Sequence, residues 1–468
     1  GGGVGRVFPL PPPHPPPPPP PPPATQPMKP SPAALRRELN LRDITLFAIS
    51  CIVGTRWIPA AAHAGPGSLT LWVLAALFFV IPLAIAVGTL IVKYPGAGGL
   101  YIWTRHDFGP RHGFIAFWLY WLGIAFWFPS AAMFYTSAAF YTLHWSPGRA
   151  WSVGISLLAI WVALSANLIG MKIGKWTENL GGASSWILCA LLAAVAALVY
   201  MKRGAATPLH LVPKWDWDTV NFWATIAYAM SGLELAGMMG GEIRDPERTL
   251  PRAGWIASGF ITVFYLAATA SLLVLLRPER ISELNGFAET AESAGNALRA
   301  GWLAPLIAVL VLTSAIGQFG GMATAVSRLP FAAGVDGLLP AAFARIHPRW
   351  GTPHICILVF GAVASFLLIV MQLGDTMRAA YQSLVSLMVL TGFLPFLYIF
   401  GGAWKAGKRF SGLSGAAVTL LAIVCSVVPT ADMTNVWLFE AKIALGTAGA
   451  IASGWLLFRR AKPYRKDY

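Results

Sequence analysis

From Leu41 onward the chain repeats one pattern, an apolar run of roughly 20 residues followed by a short polar connector. Few structures can satisfy such a pattern. The core of a bilayer offers no water to exposed amides and carbonyls, so each run must close its own backbone hydrogen bonds as a helix. Twelve runs, near 43–64, 69–92, 113–142, 151–169, 180–201, 219–240, 253–276, 302–327, 354–373, 380–400, 413–429 and 436–458, predict an all-α polytopic membrane protein. Composition agrees, since 56% of the 468 residues are hydrophobic and only 11% charged, too apolar for a fully solvated surface. A net charge of +15 would suggest nucleic acid in a soluble chain, but the basic residues sit in clusters between the runs, and no nucleic-acid partner is expected. Alternate connectors carry 22 and 8 lysines and arginines, a bias that predicts cytoplasmic locations for the richer set and for both termini.

Other classes find little support. Cys51, Cys189, Cys356 and Cys425 lie in separate runs with no CxxC pair, so neither a disulfide framework nor a metal site is expected, and no cofactor is implied. The connectors near 202–219 and 277–299 are too short for a catalytic module. Residues 1–40 form a proline-rich segment in which Pro15 to Pro23 enforce polyproline II, and disorder is expected there. Met28 is a plausible start for the native chain, with residues 1–27 upstream of it.

Two runs contain features that a membrane helix does not carry cheaply. The first reads ITLFAISCIVGTRWIPAAAHA from Ile44 to Ala64, with Arg56 near its middle and Gly54 and Pro59 on either side. An arginine at that depth costs about 2.5–3.5 kcal/mol on insertion scales and must meet a partner or water. Gly54 and Pro59 weaken the helical ladder, which is tolerated only where the freed groups line a cavity inside the protein. The sixth run, FWATIAYAMSGLELAGMMGGEIRDPERTLPRA, is interrupted at Ser231 and Gly232 and carries Glu234. Paired interruptions in corresponding helices point to the substrate site of an inverted-repeat transporter. The competing reading is a structural Arg56–Glu234 pair that neutralises two buried charges.

Three stretches then resemble the amino acid–polyamine–organocation (APC) superfamily: YPGAGGLYIWTRHDFGP (Tyr94–Pro110), SGLELAGMMGGEIRDPERTLPRA (Ser231–Ala253, with Glu242, Pro246 and Pro251) and SRLPFAAGVDGLLP (Ser327–Pro340). The resemblance implies an amino acid permease-like transporter of LeuT-type fold with 12 transmembrane helices. Two inverted repeats of five helices, near 41–201 and 219–400, would form the core at 41–400, with two additional helices and a basic tail at 401–468. It also implies a small-molecule amino acid or amine substrate, a plasma membrane location among bilayer lipids, and an assembly that allows a homodimer. The three motifs are expected to shape gating loops rather than touch substrate.

For the site, the resemblance implies backbone amides at Gly54 and Thr55 for a substrate carboxylate, an aromatic gate at Tyr228, a hinge at Gly232 with Ser231 beside it, and an acidic gating or proton-coupling position at Glu234. Arg56 stands where the family has a second glycine. Its guanidinium is expected either to take over the carboxylate, as a gating or coupling cation beside Trp57, or to pair with Glu234. Ser50 and Cys51, in the turn before the break, join the expected lining with Tyr120 and Trp127 of the third run, whose aromatic face could hold an ammonium. The family often has a small polar residue near Phe128, and its absence implies an apolar or bulkier substrate side chain. The stretch from Gly317 to Met322 lacks the hydroxyls a sodium site needs, and Ala183 to Ile187 lacks a coupling lysine, so proton coupling and exchange both stay open. The ionisable residues within the runs are Arg56 and Glu234, with Glu440 and Lys442 in the last, too sparse for a membrane enzyme or a charged channel ring. A nutrient sensor built on the transporter fold remains an alternative.

Overall fold

The computed structural model describes residues 1–3, 39–94, 98–208, 210–213, 217–372, 377–429 and 435–461. The proline-rich segment from residue 4 to 38 and the tail beyond 461 lie outside the described residues, and so do the expectations placed on them. All elements named below belong to one compact unit, Leu35–Tyr468.

Among the described residues the chain is helical, with a single isolated bridge between Leu39 and Ile243. In order the helices are α1 (Leu41–Ile52), α2 (Trp57–His63), α3 (Ser68–Lys93), α4 (Leu100–Phe108), α5 (Pro110–Thr142), α6 (Arg149–Leu168), α7 (Met171–Arg203), α8 (Trp217–Ala229), α9 (Leu233–Met238) and α10 (Pro246–Leu275). They continue with α11 (Gly286–Leu298), α12 (Leu303–Val335), α13 (His354–Met371), α14 (Ala379–Lys405), α15 (Arg409–Ser426) and α16 (Val436–Arg460). Ten helices are individually long and apolar enough to cross a membrane, and the bent pair α1–α2 brings the number to eleven among the described residues. The expected count of twelve differs at the sixth run, which is divided into the 13 residues of α8 and the 6 of α9, neither long enough alone.

Local chemistry sets these ends. Asn40 and Asp43 form a reciprocal capping box that starts α1: Asn40 Oδ1 accepts from Asp43 N–H at 3.1 Å and Asp43 Oδ2 from Asn40 N–H at 3.3 Å. Helices pack closely where side chains vanish. A Cβ on Gly181 of α7 would lie 2.4 Å from the Cα of Gly317 on α12, so only a glycine pair permits this approach. The connector expected near 277–299 folds into α11, which covers α2. Gly286 abuts Pro59, and His63 Nδ1 lies 2.6 Å from the Ile281 carbonyl oxygen.

The three family-like motifs meet one another. Tyr101 donates to Asp336 at 2.6 Å, and Arg105 pairs with the same carboxylate. Burial, with Asp336 alongside, pushes the Tyr101 phenol well above its ordinary range, so it stays a donor. Gly98 N–H donates to the Met238 carbonyl at 3.2 Å. Arg328 Nε donates to Glu242 Oε1 at 2.9 Å in an ion pair buried on both sides. The Glu242 carbonyl accepts from Leu39 N–H at 3.0 Å, which ties the entry of α1 to the loop after α9.

Candidate functional site

Helix α1 stops where its ladder runs out of partners. Val53 N–H still reaches the Ile49 carbonyl, but the chain turns through Gly54, Thr55 and Arg56 before Trp57 N–H bonds back to Gly54 at 3.1 Å and α2 begins. The two axes differ by 46°. Pro59 does not contribute to this break as the sequence suggested. It is the third residue of α2, in the first turn, where a missing N–H is no loss.

The second break faces the first. Helix α8 ends at Ala229, Ser231 folds back with both N–H (3.0 Å) and Oγ (2.7 Å) on the Tyr228 carbonyl, and Gly232 takes φ +122° before α9. A Cβ on Gly232 would stand 2.7 Å from Cγ1 of Ile52, the last residue of α1. Both the dihedral and the contact therefore demand glycine. Gly232→Ala is expected to cost on the order of 1–3 kcal/mol from the dihedral alone. Thermal unfolding of the purified variant checks this, and an unchanged midpoint would contradict a backbone that demands glycine there.

One side chain serves both breaks. The Tyr265 hydroxyl, on α10, accepts from Gly54 N–H at 2.9 Å and lies 2.9 Å from the Ile52 carbonyl oxygen and 3.1 Å from that of Ala229. Its single proton goes to one carbonyl at a time. Trp72 stacks on the ring at 4.3 Å and is itself held through Thr269 at 3.1 Å, which fixes the hydroxyl between the two helix ends. Gln318 of α12 plays a similar part. Its Nε2 donates to the Cys51 carbonyl at 3.5 Å, while its Oε1 accepts from Tyr135 OH at 3.0 Å, and Thr55 Oγ1 lies 3.2 Å from that phenol.

Arg56 is completely buried. Its Nη1 donates to Ser130 Oγ at 2.6 Å and its Nη2 approaches Met388 Sδ at 3.3 Å, while Nε has no acceptor. The guanidinium lies 3.9 Å from the Trp57 ring centroid and 5.2 Å from that of Trp127. Among the described residues no carboxylate pairs with it. The expected Arg56–Glu234 pair is therefore not formed. Glu234 is occupied elsewhere, accepting from Tyr120 OH at 2.6 Å through Oε1 and from Gly232 N–H at 3.0 Å through Oε2.

The structure thus gathers Thr55, Arg56, Trp57 and Trp127 around the first break, with Tyr228 edge-on to Trp57 at 6.4 Å. Tyr120, Gly232 and Glu234 form a second group at the other break. Ser50 and Cys51 are not brought in. Ser50 Oγ points to the Glu178 carbonyl of α7, at 3.5 Å, and Cys51 Sγ packs against Gly321 of α12. At 100° per residue, one turn before the break is enough to aim them at another neighbour. The small polar residue expected to be missing near Phe128 is present as Ser130, brought to Arg56 by its own bond to the Trp127 carbonyl at 2.8 Å.

Sequence reasoning also missed Tyr265, Gln318 and Glu178. Glu178 sits ahead of the apolar window that marked the fifth run, yet α7 already includes it, and Thr324 Oγ1 lies 3.1 Å from its carboxylate. Lys442 donates to the carbonyl of Met371, the last residue of α13, at 3.1 Å.

Comparison with known proteins identifies the family. Residues 39–442 match the family described as "Amino acid permease". The chain is 23% identical over 452 residues to an uncharacterized transporter of Legionella pneumophila, covering 91% of this chain and 97% of the other. It is 23% identical over 408 residues to the probable agmatine/putrescine antiporter AguD of Lactococcus lactis, covering 82% and 86% of the two chains. The aromatic amino acid transport protein AroP of Escherichia coli is 25% identical over 378 residues, covering 76% and 78%. With a family match over nearly its whole length and motifs that lock together, the chain belongs to the amino acid permease family, within the APC superfamily of membrane transporters.

Proposed function

We propose that the protein is a secondary carrier that moves amino acids or related small carboxylate-bearing compounds across the plasma membrane by alternating access. The observation that carries this reading is the facing pair of helix breaks, joined through Tyr265, with a buried arginine that lacks a carboxylate. A five-plus-five inverted repeat accounts for breaks in the first and sixth runs. Arg56 receives the substrate carboxylate through its fork, Ser130 and Thr55 orient it, and Trp57, Trp127 and Tyr228 close over it. The meeting of Tyr101, Arg105 and Asp336 with the Glu242–Arg328 pair serves as the gate on the cytoplasmic side, where both termini lie. Glu234, held by Tyr120 and the Gly232 amide, links α5 to the hinge of α9, so loss of that carboxylate's charge frees the hinge. This arrangement suits proton coupling or exchange.

Counterflow in proteoliposomes loaded with an unlabelled mixture of amino acids and simple carboxylates tests the carrier reading. Labelled substrate is expected to accumulate transiently against its gradient, and Arg56→Ala, reconstituted at equal density, is expected to slow uptake at least tenfold through loss of a charge-assisted contact. Binding without counterflow would turn the reading toward a sensor, and unimpaired uptake by the variant would remove Arg56 from the carboxylate role.

A further inference from the structure

The groups around Arg56 bear on the charge of the substrate, and they disfavour an ammonium. Aromatic faces and freed carbonyls are the two devices by which a membrane cavity holds a substrate amine. Here the nearest rings, and three of the carbonyls at the breaks, are already engaged by the protein itself. The Trp57 and Trp127 rings nearest the break hold the Arg56 guanidinium, at 3.9 and 5.2 Å. The Ile52 and Ala229 carbonyls share the Tyr265 hydroxyl, and the Cys51 carbonyl faces the Gln318 amide. Glu234, the acid of the second break, spends its two oxygens on Tyr120 and on the Gly232 amide.

What the break lacks is negative charge. A fully buried guanidinium with one hydroxyl, one thioether sulfur and an orphaned Nε is far from satisfied, since the group carries five N–H donors. Two indoles and Met388 are among its nearest neighbours, groups that carry no negative charge to compensate it. A carboxylate on an apolar body suits such neighbours, which offer a strongly hydrated tetrahedral oxyanion little to replace its water. A second cation would meet an uncompensated charge in a low-dielectric site, where like charges repel strongly.

We propose that the preferred substrate is a carboxylate of net negative charge, either lacking an ammonium group or carrying a second carboxylate, and that the resident Arg56 takes the place of a substrate ammonium over Trp57 and Trp127. This rests on the carrier reading for its physiological meaning, though not for its test. The selectivity differs in sign from the agmatine and putrescine named for the Lactococcus lactis relative, both cations.

Calorimetric titration of the purified full-length protein with matched triads decides the matter. The probes are 4-methylpentanoate, leucine and 3-methylbutylamine, then 3-phenylpropanoate, phenylalanine and 2-phenylethylamine, with glutamate and inorganic phosphate alongside. The carboxylate of at least one triad, or glutamate, is expected to bind on the order of 10-fold more tightly than the matching zwitterions, and the amines not at all. Arg56→Ala is expected to abolish that preference. Should it fail to fold, Arg56→Lys, which keeps the charge without the fork, is expected to weaken carboxylate binding while preserving the order anion, zwitterion, amine. Equal or tighter binding of zwitterion or amine, phosphate binding that matches the carboxylates, an unchanged preference in Arg56→Ala, or no binding by any anion would each overturn the proposal. Anion-selective binding without counterflow would leave the selectivity standing and remove the carrier reading, so the two failures are distinguishable.

Discussion

Tyr265→Phe is expected to abolish exchange and lower thermal stability together, although it deletes one oxygen atom; that oxygen occupies the Gly54 amide, which the sequence had offered to a substrate carboxylate. The hydroxyl serves Gly54 N–H and the carbonyls of Ile52 and Ala229, three backbone groups at the two helix ends. All of them are buried, and no water replaces the hydroxyl without room being made for it. Each buried group left without a partner costs on the order of 1–3 kcal/mol. The phenyl ring would retain its stack on Trp72, so the variant isolates the hydrogen bonds from the packing. Counterflow and the unfolding midpoint of the purified variant measure the two effects. Normal transport at an unchanged midpoint would mean that the breaks are held by something other than this tyrosine.

Glu242→Gln is the second large effect, and it acts at a distance from the breaks. Arg328 and Glu242 have side chains 5% and 1% exposed, and Arg328 also spends Nη1 on the Thr324 carbonyl at 2.7 Å. Removing one partner leaves a buried, uncompensated guanidinium, for which about 3–5 kcal/mol of destabilisation is expected. The double variant Glu242→Gln/Arg328→Met, which removes both charges, is expected to recover much of that loss. If the pair forms the cytoplasmic gate, the single variant also becomes accessible to thiol reagents at Cys356, which is buried near Arg328. Unfolding midpoints of the three proteins, read beside labelling rates, separate a gate from a merely stabilising pair. A double variant no more stable than the single would contradict the electrostatic account.

The parts legible in the sequence were those with local causes. Apolar length announced the helices, and glycine and charge inside apolar runs announced both breaks, because interrupted backbone in a membrane must be met by protein groups. The motifs were legible as motifs, but not as neighbours: Tyr101 and Asp336 are 235 residues apart in the chain. Distance also hid Tyr265, 211 residues from the amide it serves and, within an apolar helix, indistinguishable from a packing aromatic. The Arg56–Glu234 pair stood as one of two readings because these are the central charges visible in the broken runs. Elimination is a poor guide there, since a carboxylate can equally be met by a phenol and a backbone amide, as Glu234 is. Glu178 escaped notice for a related reason. A window that marks where hydrophobicity begins does not mark where a helix begins, and α7 starts at Met171, before the apolar stretch.

The most direct test of two facing breaks around a carboxylate-seeking arginine is a density map of the protein in lipid nanodiscs with a brominated carboxylate bound. Bromine density beside Arg56, Ser130 and Trp127, with the helices interrupted at residues 53–56 and 230–232, is the expected result. Unbroken helices, or bromine density away from Arg56, would contradict it.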